Sequence, residues 1–238
     1  MAQFKKTLST LGVCAALMMT VQANAATETT LKVSGTIVPA ACSPSLSNSG
    51  EVSFGSIAAA SIRNAAEGNS LVQLGTKDIT LTISCEANTA VGFKMLDNRS
   101  SSAVALSSSA FISPSISGAT PATQSYFGFG LGLASNNAKI GAYTVMVDTA
   151  SVTADGASVG LVLSDDEGKN WRTSDKARQT SDNARIMTVA EKAGTAEPKL
   201  FKDAIVPLKI SAGVQTASVL GGDEITLDGN ATLSLVYL

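Results

Sequence analysis

Apolar and polar residues alternate in short runs along most of the chain. In the clearest run, KDITLTISCEA, the side chains of Ile79, Leu81, Ile83 and Cys85 share one face, with polar residues between them. Alternation with a period of two predicts β-strands that are buried on one side. Similar runs between turn-favouring residues are TLKVSGTIV, AVGFKML, YFGFGLGL, AYTVMVDTASV, ASVGLVLS, AIVPLKISA and DGNATLSLVYL. This succession of short strands predicts an all-β protein folded as an antiparallel sandwich.

Helical periodicity is weak throughout the chain. Only the run NARIMTVAEKAG, residues 183–194, is compatible with a short helix. Residues 164–203 are dense in charged side chains, and we interpret this segment as a polar excursion exposed at the surface of the sandwich. No segment has the composition of a linker between two cores, so we expect one domain over residues 36–238.

The chain opens with the pattern of a secretory signal peptide. Lys5 and Lys6 precede an apolar run from Leu11 to Val21, and the small residues Ala23 and Ala25 fit a cleavage site after residue 25. We therefore expect an exported protein. The sequence has 17 Lys and Arg against 19 Asp and Glu, and the leader takes two of the lysines, which leaves a net charge of −4. Without a basic run, nucleic acid is not an expected partner.

Two cysteines follow the leader, Cys42 and Cys85. In an exported chain an even pair predicts one disulfide, here between residues separated by 43 positions. Histidine is absent, which excludes Ser-His-Asp and Cys-His catalysis within the chain and removes the commonest zinc ligand. We therefore expect neither enzyme activity nor a metal or other cofactor.

The run SDDEGKNW matches the Asp-box pattern S-x-D-x-G-x-x-W through Ser164, Asp166, Gly168 and Trp171. In sialidase-like propellers this pattern is a hairpin turn that recurs once per blade. Here it occurs once and without a propeller repeat, so we interpret it as a structural turn in which the Asp binds backbone amides. The neighbouring acids do not have the spacing of an EF-hand, and no calcium site is expected.

The segment that follows the leader alternates as well. Thr29, Leu31 and Val33 share one face of an extended chain, and Lys32 lies on the other. The alternation leaves two interpretations open. The segment is either the first strand of its own sandwich or a strand that completes the sheet of another molecule through main-chain hydrogen bonds.

Three separated motifs resemble the pilins of chaperone–usher fimbriae. VSGTIVPAACS is similar to the pilin pattern around the first Cys, DITLTISCEA to the strand with the second Cys, and DGNATLSLVYL to the C-terminal strand with its penultimate Tyr. The stretch from KIGAYTVMV to VLSDDEGKNW resembles a longer, fimbrial-type group classed as a domain of unknown function. Together the motifs extend over the whole chain after the leader.

The resemblance implies an immunoglobulin-like sandwich that lacks its last strand. A periplasmic chaperone first fills the resulting groove, and the N-terminal extension of another subunit replaces it at an outer-membrane usher. Residues 26–35 would be the donor strand, with Thr29, Leu31 and Val33 facing the groove, although Thr29 stands where the family usually has a Gly. The C-terminal strand would form a wall of the groove and the chaperone contact, through Ala231, Leu233, Leu235 and Tyr237.

These features lead us to expect a structural subunit of a surface fimbria that polymerises by donor-strand exchange and supports cell adhesion. Two alternatives stay open. The chain could be a minor or tip subunit that binds a surface receptor through residues 164–203. It could also be a secreted sandwich that completes its own fold and does not polymerise.

Overall fold

The computed structural model describes residues 29–38 and 40–238, and it divides the chain into two units, Met1–Ile37 and Val38–Leu238. In the first unit, the described residues form no strand, and Leu31, Val33 and Ile37 are exposed. The predicted signal peptide and the first residues of the predicted donor strand lie outside the described residues.

The second unit is a sandwich of two antiparallel sheets, which confirms the all-β prediction. Its strands are β1 (Cys42–Leu46), β2 (Val72–Thr89), β3 (Val91–Asp97), β4 (Phe129–Gly130), β5 (Gly141–Val147), β6 (Thr153–Ala154), β7 (Ala157–Ser158), β8 (Gly160–Ser164), β9 (Arg172–Thr173), β10 (Ile186–Ala190), β11 (Phe201–Val214) and β12 (Ala231–Tyr237). The larger sheet has the order β1-β2-β11-β5-β4, and the β6–β7 hairpin joins it at β11. The smaller sheet has the order β12-β3-β10-β8-β9.

Helical structure in the described residues is confined to single turns. The α-helix α1 spans Ala217–Leu220, and short 3-10 turns span Ser47–Gly50, Ala59–Ile62, Ser100–Ser102, Ser125–Phe127 and Thr149–Ser151. None of the described helices has the length and apolar character needed to cross a bilayer.

The main core lies between the two sheets. Leu81 of β2 and Leu208 of β11 belong to the same packed cluster as Phe93 of β3 and Met187 of β10, and all four side chains are almost completely buried. Burying an apolar side chain of this size contributes about 1.5–3 kcal/mol relative to leaving it exposed. The alternation in the sequence arises because each sheet directs every second residue into this core.

A disulfide joins β1 to the rest of the larger sheet. Cys42 and Cys85 are bonded, which confirms the predicted pair. The two residues face each other in the antiparallel register of β1 and β2, which continues to Leu46 opposite Leu81. Among the described residues β1 pairs with β2 alone, so it forms an edge of the larger sheet.

Residues 164–203 differ in part from the predicted exposed excursion. Their central part is β10, which lies between β3 and β8 in the smaller sheet and is buried at every position. The run that was compatible with a helix is therefore partly a strand. Arg178 and Arg185 are each 8% exposed, whereas most of the other charged side chains of this segment are exposed.

The buried charge is compensated by specific partners. Arg185 donates two hydrogen bonds to Asp165, at 2.6 and 3.1 Å, and a third to the carbonyl of Arg178 at 2.6 Å. Burial opposes ionisation of Asp165, but hydrogen bonds from Arg185 and Arg172 outweigh it and hold the pKa of this carboxyl below its usual value. The guanidinium carbons of Arg178 and Arg185 also lie 5.0 and 5.5 Å from the ring centre of Phe127.

Candidate functional site: an apolar groove between two sheet edges

An apolar groove of about 860 Å³ lies between the free edges of the two sheets. Its floor consists of core side chains from both sheets. The larger sheet contributes Ile79, Val145, Leu208 and Ile210, and the smaller sheet contributes Met95. The groove is therefore a place where the hydrophobic core reaches the surface.

The first wall of the groove is the segment 51–57, which follows β1. The chain enters it through Asn48 and Ser49, which have φ values of 50° and 54°. These left-handed residues redirect the backbone after the end of β1. Val52 and Phe54 then pack against the core, and Ile57 does so after Gly55, whose φ of 68° interrupts the alternation.

The backbone of the first wall is largely unpaired. Glu51 donates its N–H to Asn48 and Gly55 donates its N–H to the Ser53 hydroxyl. The other N–H groups of this wall donate no hydrogen bond to the described part of the chain. Exposed backbone donors and acceptors along an extended segment provide the edge to which another strand can add.

The second wall consists of residues 223–229 and β12. Ile225 and Leu227 are partly buried against an apolar cluster, and only Asp228 donates a backbone hydrogen bond within residues 223–229, to Leu131 at 2.9 Å. β12 pairs with β3 along its full length. Its opposite edge pairs with no strand of the described residues.

The two sheet edges meet at one end of the groove. Cys42, at the start of β1, donates its backbone N–H to the phenol oxygen of Tyr237, at the end of β12, over 2.9 Å.

The residues predicted to form a wall of a groove lie in β12. Ala231 and Leu233 line the apolar groove, Leu235 packs against the core, and Tyr237 makes the hydrogen bond to Cys42. Thr29, Leu31 and Val33 lie in the first unit, where their side chains are exposed. Their assignment as a donor strand stays a prediction, as does the chaperone contact of β12.

The Asp-box run forms a hydrogen-bonded turn that contributes no residue to the groove lining. Asp166 accepts hydrogen bonds from the side chain and backbone of Asn170, at 2.6 and 2.9 Å, and from the Ser164 hydroxyl at 2.7 Å. These bonds lower the pKa of Asp166 to about 2. Gly168 has a φ of 84° and lies against Trp171. The described residues contain no group of three or more His, Cys, Asp or Glu that could hold a metal ion.

Tyr143 and Gly229 are among the groove residues that were not found from the sequence. The Tyr143 ring stacks on Phe129 with 5.1 Å between ring centres, and burial raises the pKa of its phenol well above the usual value. A Cβ added at Gly229 would lie 2.9 Å from Cε1 of Tyr143 and 3.3 Å from Cδ2 of Leu131. The second wall can therefore approach the Tyr143 ring only because residue 229 has no side chain.

We expect Gly229→Ala to push residues 223–229 away from Tyr143. Accommodating the added methyl should lower the free energy of unfolding by about 1–3 kcal/mol, the usual cost of overpacking. Urea denaturation followed by circular dichroism measures this difference. Gly222→Ala is the matched control, because no atom lies within 4 Å of the Cβ position at Gly222. Equal unfolding midpoints for the two variants would contradict the close packing at Gly229.

Comparison with known proteins shows related chains of similar length. The family described as "Protein of unknown function (DUF1120)" matches residues 31–144. Protein GltF of Escherichia coli (strain K12) is 32% identical over 259 aligned residues, which cover 99% of both chains. Uncharacterized protein YhcF of the same organism is 32% identical over 228 aligned residues, which cover 91% of this chain and 93% of that protein.

Proposed function

We propose that this chain, which belongs to the DUF1120 family and is homologous to GltF and YhcF over nearly its full length, is a structural subunit of a surface fibre. Subunits join by strand donation: residues 26–35 of one copy fill the groove of another. The observation that carries the proposal is the apolar groove between two edges with unpaired backbone. The resemblance of three sequence motifs to chaperone–usher pilins supports the same conclusion.

Strand donation buries apolar surface on both partners. Leu31 and Val33 are 90% and 87% exposed in the first unit. Burying each of them in a groove contributes about 1.5–3 kcal/mol. The same event covers the groove floor, so the joint between two subunits resembles a part of a protein core.

The walls favour a strand over a small ligand. A groove of this volume is also large enough for a drug-sized apolar molecule. However, residues 51–57 and 223–229 of the walls have backbone N–H groups with few partners in the described chain. An added strand supplies hydrogen bonds along its whole length, whereas a small apolar molecule leaves most of these groups unpaired.

The proposal includes partners that protect the groove before assembly. A subunit with an open apolar groove and two free edges is prone to aggregate. A periplasmic chaperone covers the groove with a strand of its own and so prevents aggregation. The N-terminal segment of another subunit then replaces this strand at an outer-membrane usher. The completed fibre stands at the cell surface and supports adhesion. A tip subunit that binds through residues 164–203 stays an alternative, because most charged side chains of that segment are exposed although β10 is buried.

We expect Leu31→Asp and Val33→Asp to prevent polymer formation, because each places a carboxylate in an apolar groove. The test is to shear surface material from cells that carry the neighbouring assembly genes and to compare unheated with boiled samples in SDS gels. The unmodified protein should give a heat-sensitive ladder, and both variants should give monomer.

Thr30→Asn and Ser34→Asn are the controls, because alternation places these residues on the opposite face of the segment and the change adds no charge there. They should retain the ladder. Loss of the ladder in all four variants, or its persistence in Leu31→Asp and Val33→Asp, would contradict insertion of this face.

A further inference from the structure

All charged residues that line the groove are acids. Glu51 belongs to the first wall, and Asp223 and Glu224 belong to the second. All three side chains are exposed, and none forms an ion pair with the described part of the chain. Lys77 shares a shallow recess with Glu51 without forming an ion pair. We refer to Glu51, Asp223 and Glu224 as the acidic rim.

The N-terminal segment carries a complementary charge between its two apolar residues. Lys32 is the only charged residue among residues 29–38, and Glu28 is the other charged residue of the proposed donor strand, residues 26–35. It lies between Leu31 and Val33, and side chains alternate between the two faces of an extended strand. When Leu31 and Val33 point into a groove, Lys32 therefore points outward, towards the level of the rim.

We propose that the acidic rim selects the occupant of the groove by its charge, and that the matching occupant is the N-terminal segment of a second copy of this chain. This inference rests on the proposed function. A cation between two inserted apolar residues is attracted by carboxylates on both walls, whereas an acid at the same place is repelled. Charge complementarity of this kind mainly sets the rate of association and the choice of partner. The rim therefore favours a fibre in which this subunit follows itself.

The first test reverses the charge on the donor. Lys32→Glu should lower the amount of SDS-resistant polymer roughly fivefold or more, because an attraction becomes a repulsion at several carboxylates. Lys192→Glu, an exposed lysine outside both the segment and the groove, is the matched control and should assemble normally. Assembly of Lys32→Glu at the unmodified level would overturn the inference.

The second test restores opposite charges on donor and groove by changing the acidic rim. Glu51→Lys and Glu224→Lys, introduced together into the Lys32→Glu chain, should recover the ladder. Glu197→Lys, an exposed acid outside the rim, should not recover it. Failure of the rim reversal, in a variant that accumulates as folded monomer, would overturn the inference. If the rim variant does not accumulate, the Lys32→Gln variant provides the test. The inference predicts an amount of polymer between that of the unmodified protein and that of Lys32→Glu. As much polymer as in the unmodified protein would overturn the inference.

The outcomes separate this inference from the proposed function. If the ladder requires residues 26–34 and is unaffected by every charge change, strand donation is supported and selection by charge is overturned. The absence of a ladder in the unmodified protein, or its persistence without residues 26–34, overturns both.

Discussion

Cys42→Ser is expected to prevent the protein from accumulating. The disulfide closes a loop between residues separated by 43 positions. By the chain-entropy relation, a bridge of this span stabilises the fold by about 4 kcal/mol. Small domains are stable by only about 5–15 kcal/mol, so the loss removes a large part of the total.

Loss of the disulfide should also loosen the first wall of the groove. β1 pairs with a single strand among the described residues, and it leads directly into the first wall. Without the bond to Cys85, both β1 and this wall are held by one edge and a few apolar contacts. Immunoblots of periplasmic fractions test the prediction, with Ser45→Ala, an exposed residue of β1, as the control. Unmodified levels of Cys42→Ser under oxidising growth would contradict it.

Leu233→Asp is expected to abolish the ability of a subunit to accept a strand while leaving its ability to donate one. Leu233 lines the groove and packs against the core cluster. A carboxylate at this position loses its hydration when an apolar strand enters, and no cation of the groove lining compensates it. The donor segment of the same chain is unchanged.

Ser234→Asp is the control for this prediction. Ser234 is the next residue of β12 and stands opposite Lys94 of β3 in the sheet register, where a carboxylate is favourable. We expect normal polymers from Ser234→Asp and none from Leu233→Asp in the SDS ladder assay. Polymers from both variants would show that the groove wall is not the accepting surface.

Strands with one buried face were predictable from the sequence. The run with Ala231, Leu233 and Leu235 alternates clearly and forms β12, in which these three side chains pack against the core. β10 was not predictable in the same way. Every one of its residues is buried, so the sequence IMTVA shows no alternation, and a short apolar run of this kind does not distinguish a strand from a helix.

Part of the groove was expected from the sequence, and the rest depends on tertiary structure. The β12 part of the second wall was expected from the resemblance of the C-terminal run to pilins, whereas residues 223–229 were not. The first wall has the sequence EVSFGSI, and its course follows from the left-handed turn at Asn48 and Ser49 and from packing against the floor. The burial of Arg185 also depends on a distant partner, because Asp165 lies 20 residues away. Charge density along the chain does not reveal such pairs.

The most direct measurement combines two chains that each keep one half of the proposed joint. One chain lacks residues 26–34 and keeps the groove, and the other carries Leu233→Asp and keeps the N-terminal segment. Expressed separately with the assembly genes, each should run as a monomer in unheated SDS gels. Expressed together, they should give a dimer that boiling dissociates, and no longer species. If two folded chains give no dimer, or if the chain without residues 26–34 forms a ladder alone, strand donation between copies is contradicted.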